Sequence, residues 1–245
     1  MPDTRFRSWM TALCQPDGNR PEWPLFIRWA LQEQLHREQH TEREYAGKQL
    51  LISRTDHDYE NATGEKRAAY GLHQNAHQTS SGCITIGDER YWLLSYEVPN
   101  QDNSRMRRAD LVGLNRTGGL VVFECKLERN PYAPLAAVLE GLDYLACLTC
   151  QTNFVRLQGD FWLLGLTAPE DFKGIEPTRQ ACHEVIVLAP KGYYELYTRS
   201  NRGSGWRDLA RTRTQNWESV RIAFAETEVD GDGFFSQELR WCDPD

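Results

Sequence analysis

The sequence predicts a mixed β-sheet flanked by helices, an α/β (α+β) domain. Three observations lead there. The chain has 245 residues, enough for one sizeable core. Its eight Trp and ten Tyr supply large side chains to bury, which argues against disorder. Helical periodicity gives way to a meander of strand-length apolar runs, then to one more helical stretch and further strands.

The elements follow in order. Leu25-Phe-Ile-Arg-Trp-Ala-Leu31 is apolar at helical spacing behind Pro24, and polar helix formers continue to Leu51. Residues 56–64 read as a loop and 65–77 as a second helix. Cys83-Ile-Thr-Ile86 and Tyr91-Trp-Leu-Leu-Ser-Tyr-Glu-Val98 read as strands around a Gly87-Asp88 turn. Residues 107–114 and 120–127 are two more strands. Asn115-Arg-Thr-Gly-Gly119 joins them with hairpin chemistry. Pro134 suits a first helical turn, and Leu135, Leu139, Leu142 and Ala146 mark one apolar face through Leu148. Residues 161–167, 184–188 and 192–198 read as strands. The expected organisation is an N-terminal helical region over 1–80, a core over 81–200 and a C-terminal extension over 201–245.

Composition narrows the function. The formal net charge is −7, so the surface as a whole does not attract nucleic acid. A polyanion site would have to be a local basic patch or rely on bound metal. Seven Cys, scattered singly, and polar, charged first residues without a secretory pattern predict a reducing, cytoplasmic setting. No apolar run reaches the ~18 residues of a membrane span.

The chemistry lies in Arg107-Arg-Ala-Asp110-Leu-Val-Gly-Leu-Asn-Arg-Thr-Gly-Gly-Leu-Val-Val-Phe-Glu124-Cys-Lys126. Strand alternation points Glu124 and Lys126 the same way, with Phe123 and Cys125 turned opposite. Two charges on one face of an apolar strand are costly if buried unpaired. A hairpin turn at Gly118-Gly119 brings Asp110 back beside Glu124. Adjacent carboxylates repel, and a hard divalent cation relieves the repulsion. Lys126 beside such a cation can orient a water and stabilise developing phosphorane charge.

This arrangement resembles the PD-(D/E)xK nuclease superfamily, with its restriction-endonuclease-like fold. The matching residues are Asp110, Glu124 and Lys126, and residues 134–148 match the helix that follows them. Ala109 stands where the family often has Pro. The resemblance implies a nuclease core over 81–200, Mg2+ or Mn2+ as cofactor, and DNA as substrate. It also implies Asp110 and Glu124 as metal ligands and Lys126 as the residue that positions the attacking water. A homodimer would suit cleavage of both strands. The family often adds an upstream acid. Glu97 is the first candidate here, before Glu44 and Glu65. Glu140 or Tyr144 on the following helix are accessory candidates. The alternative is a binding module on the same fold that does not cut.

Other signals are weaker. Arg105, Arg107, Arg108, Arg116 and Arg129 surround the motif, and guanidinium suits phosphate. Arg199, Arg202, Arg207, Arg211 and Arg213, with Trp206 and Trp217 nearby, read as a solvated loop or helix rather than a surface for bases. Cys147 and Cys150 read as small buried residues. The pairs His36/His40 and His73/His77 read as polar helix faces, for want of a third ligand. Residues 228–236 resemble part of a calcium loop but lack its closing Glu, and read as a turn.

Overall fold

The computed structural model describes residues 51, 62–99, 108–130, 133–199, 204–217 and 219–243. The helix expected over 24–51, with Glu44, His36 and His40, lies outside them, apart from Leu51. So do Arg105, Arg107 and Arg202.

Helix α1 (Glu65–Thr79) precedes the meander β1 (Cys83–Ile86), β2 (Glu89–Pro99), β3 (Arg108–Leu114) and β4 (Leu120–Cys125). Helices α2 (Pro134–Thr149) and α3 (Gln151–Leu163) cross over to β5 (His183–Pro190). Helices α4 (Lys191–Arg199) and α5 (Ser204–Arg211) then lead to β6 (Asn216–Trp217), β7 (Val220–Thr227) and β8 (Arg240–Trp241).

Among the described residues, eight strands form one mixed sheet, in the order β1-β2-β3-β4-β5-β7-β6, with β8 also on β7. The first three pairings are antiparallel, whereas β4–β5 and β5–β7 are parallel. Helical crossovers are what parallel neighbours require. The sheet curls until Ile86, ending β1, bridges to Leu239, just before β8. A polar network supports the curl, since Arg221 of β7 bonds Glu89 and Tyr91 of β2 and Glu184 of β5.

Both faces of the sheet are covered. Val185, Val187, Ile222 and Phe224 pack with α2, α4 and α5 on one face. Ile186, Leu188, Ala223 and Phe123 pack with α1 and Phe235 on the other. That explains why the parallel strands are continuous apolar runs and not alternating ones.

Two expected strands are helices. Residues 161–163 finish α3, whose Phe154, Leu157 and Phe161 recur at helical spacing toward the core. Residues 192–198 lie within α4. Their tyrosines read as strand formers, yet Tyr193, Tyr194 and Tyr197 at i, i+1 and i+4 share one buried helix face. The Tyr194 hydroxyl donates to the Val187 carbonyl at 2.8 Å, fixing α4 to the sheet. Strand β7 went unpredicted, and it is as apolar as β5.

Trp206 is buried against Tyr194 and Phe224, so it is a core residue and not a platform for bases. Residues 228–236 form the expected turn: Asp230 Oδ1 accepts the N–H groups of Asp232 and Phe234. His73 and His77 are not a solvated face. They stack with ring centres 4.4 Å apart, and His77 Nε2 meets the Leu93 carbonyl at 3.0 Å, where the β2–β3 register shifts.

Candidate metal and catalytic site

The β3–β4 hairpin forms as its sequence requires. The Asn115 side chain accepts the N–H groups of Thr117 and Gly119, and Gly118 takes a φ of 81°. Gly permits that left-handed conformation without a Cβ penalty. Pairing runs from Leu114↔Leu120 to Leu111↔Phe123. The next pair in this register is Asp110 and Glu124.

There the side chains take over from the ladder. Asp110 Oδ2 accepts the Cys125 N–H at 2.7 Å. The Lys126 N–H instead donates across to the Leu188 carbonyl, following β5. Lys126 Nζ reaches back 3.3 Å to Glu124 Oε2 and 3.1 Å to Glu140 Oε2 on α2. Helix α2 lies close over this spot because residue 141 is Gly. A Cβ there would sit 2.4 Å from Val185 Cγ1 and 3.3 Å from Glu124 Cγ.

The cluster is nearly sealed, with Asp110 8%, Glu124 2% and Lys126 5% exposed. Burial raises the Asp110 carboxyl to about 7, with Glu65 and Glu97 pushing the same way against Lys126 and the Cys125 N–H. Burial and the Asp110 charge hold Glu124 well above the usual carboxylate range. Burial alone would lower Lys126, but Glu124, Asp110, Glu140 and Glu65 outweigh it and hold the ammonium charged. A charged ammonium donates hydrogen bonds and accepts no proton, so Lys126 offers this site a donor and a positive charge.

Glu97 and Asp110 face each other between the Tyr96↔Leu111 and Val98↔Ala109 pairs. Glu97 sits at φ 51°, a strained conformation for a non-glycine residue. Its carboxylate is held by Lys66 at 3.2 Å and Arg108 at 3.9 Å. Glu65, the weaker candidate from sequence, is closely tied to the site. Its Oε1 accepts the Leu127 N–H at 3.3 Å and the Asn130 amide, just past β4. Tyr144 is buried on α2. Tyr193, missed while α4 read as a strand, is buried, and Lys126 is the first charge acting on it.

The expected arginines do not converge. Arg108 pairs with Glu97 beside Asp110. Arg116 is at the hairpin tip, on Asp171 at 3.0 Å. It stands six positions on from Asp110, roughly 20 Å of extended chain. Its place in the turn puts it at the opposite end of the hairpin from the carboxylates. Arg129 is exposed on a cleft of about 770 Å3 past the ends of β4, β5 and β7, which none of Asp110, Glu124 or Lys126 lines.

Among the described residues, no three His, Cys, Asp or Glu side chains form a ready metal cage. The fit of a cation rests on a different observation. Glu124 Oε1 is buried and has no hydrogen-bond partner. A carboxylate oxygen left so, beside a second carboxylate, is costly unless something positive meets it. Mg2+ and Mn2+ take such oxygens. Among the described residues no helix is long and apolar enough to cross a membrane. Comparison with protein families, curated proteins and solved structures returns no match in any of the three.

Proposed function

We propose that this protein is a metal-dependent nuclease of restriction-endonuclease-like fold, hydrolysing phosphodiester bonds in DNA. The observation that carries the reading is the orphaned Oε1 of buried Glu124, in register with Asp110 and bonded through its other oxygen to Lys126. The element order agrees with it: a helix, an antiparallel meander bearing the acids, a helix over their face, then a parallel strand.

Asp110 and Glu124 would hold the cation, Mg2+ or Mn2+. When bound, the ion supplies Lewis-acid stabilisation of phosphoryl charge and a more acidic water. The chain's residues do the rest. Glu124 would offer its unpartnered Oε1 to the ion, while Oε2 keeps Lys126 in place. The Lys126 ammonium donates to the attacking water or to a phosphate oxygen, where its charge opposes the charge that develops. Glu140 holds that ammonium from the far side. The Cys125 N–H fixes the Asp110 carboxylate, so the ligand is positioned before substrate arrives.

The reading is tested on linear, circular and single-stranded DNA with Mg2+ or Mn2+. Cleavage that needs the ion and falls at least roughly 100-fold in Lys126→Ala and Glu124→Gln supports it. Failure to cut any of the three, or full cleavage by Lys126→Ala, overturns it.

A further inference from the structure

Past the last β3–β4 pair, two carboxylates take over the hydrogen bonding of β4 on either side of Lys126. The Asn115 N–H donates to the Gly119 carbonyl, so Gly119 and every second residue after it turn their amides toward β3. Cys125 and Leu127 share that phase. Lys126 has the opposite one, and its N–H goes to the Leu188 carbonyl of β5 at 2.9 Å. Main-chain pairing with β3 ends at Leu111↔Phe123. Asp110 then accepts the Cys125 N–H at 2.7 Å, and Glu65 Oε1 accepts the Leu127 N–H at 3.3 Å. Glu65 thus supplies the acceptor that a continuing β3 would have supplied.

The same oxygen accepts the side-chain amide of Asn130. The Asn130 N–H closes a turn onto the Leu127 carbonyl at 2.9 Å, and the Asn130 carbonyl accepts the Tyr197 hydroxyl of α4 at 3.0 Å. One carboxylate therefore holds both ends of the turn that leaves Lys126. That hold has a firm base. Glu65 opens α1, whose Ala68, Ala69 and Leu72 are buried in one cluster with Phe123 and Cys125. Lysine needs such support, because its ammonium rides on a long, flexible stem. Glu124 and Glu140 hold the ammonium end, and the direction of the stem is set by the main chain beneath it.

Resting on the nuclease reading, we infer that Glu65 is a positioning residue for that reaction: by bonding Leu127 and Asn130 it fixes the main chain from which Lys126 reaches toward Glu124. It acts through the chain and gives no oxygen to the cation. Glutamine separates the two roles, since its carboxamide oxygen accepts the same hydrogen bonds but carries no charge for a metal.

Glu65→Ala and Glu65→Gln in the full chain test the role, with amide exchange followed by NMR in chelator and Mn2+ binding by calorimetry. Glu65→Ala speeds exchange at Leu127 by about tenfold, as the loss of one hydrogen bond requires, while the amides of β5 keep their rates as proof of folding. It lowers kcat for DNA cleavage at least roughly tenfold and leaves KM and Mn2+ affinity near those of the parent. Glu65→Gln returns both the exchange rate and kcat to within about threefold of the parent. Exchange at Leu127 that is indifferent to Glu65→Ala overturns the contact. A kcat unmoved by Glu65→Ala, an equal fall in both variants, or Mn2+ binding lost in both overturns the positioning role. A parent that cuts no DNA overturns the nuclease reading and the positioning role with it, and the exchange result still decides the contact by itself.

Discussion

The carboxylate of Asp110 accepts the backbone N–H of Cys125 at 2.7 Å, and Cys125 is the residue between Glu124 and Lys126. One hydrogen bond thus ties the acid on β3 to the two charges on the neighbouring strand. It works where main-chain pairing between β3 and β4 stops, and it fixes a carboxylate that burial and its acidic neighbours destabilise.

Asp110→Asn should stabilise the metal-free protein and abolish the proposed DNA cleavage. The Asn carbonyl can still accept the Cys125 N–H, while the buried charge is gone. Asp110 titrates near 7 in the folded chain, above its ordinary 3.8. Its contribution is therefore favourable below about pH 4 and lost as pH rises through 7. Thermal unfolding in chelator at pH 8 should show a higher Tm for the variant, and near pH 4 the gap should close. A lower Tm at pH 8 would show that the charge is already compensated.

His183 should give the opposite slope. Its Nδ1 accepts the Leu120 N–H at 3.0 Å, which requires the neutral ring. Burial lowers its pKa from 6.5 to about 4. The folded state is then penalised as pH falls from 6.5 toward 4, by about 3 kcal/mol when complete. His183→Asn stays neutral, so urea unfolding from pH 7.5 to 4.5 should show a flatter stability profile than the parent. Equal slopes would remove His183 as a cause.

Gly141→Ala should loosen α2 from the sheet. The new methyl would meet Val185 and approach Glu124. Overpacking of this kind costs about 1–3 kcal/mol, and each kcal/mol lowers Tm by roughly 2–4 °C in a chain of this size. The cation-induced rise in Tm should shrink as well, since Glu140 and Glu124 lose their common frame. An unchanged Tm would mean that α2 has room to move.

The hairpin and its charges were legible because each rests on local rules. Asn115 to Gly119 specify the turn, the turn fixes the register, and alternation pairs Glu124 with Lys126. The later elements were not. Residues 192–198 are rich in Tyr, which favours strands when taken alone, yet the core selected the helical face of Tyr193, Tyr194 and Tyr197. The reach of Glu65 to Asn130, and the seating of α2 permitted by Gly141, are tertiary facts with no local signal. Arg116 shows the limit of sequence proximity: near the motif in sequence, it lies at the far tip of the hairpin in space.

The central claim is that Asp110 and Glu124 share a divalent cation. Anomalous scattering from crystals soaked in Mn2+ tests it most directly. A peak between the two carboxylates, about 2.0–2.2 Å from Glu124 Oε1 and absent in Glu124→Gln, is the predicted result. An empty site at millimolar Mn2+, or manganese bound only elsewhere, would contradict the account.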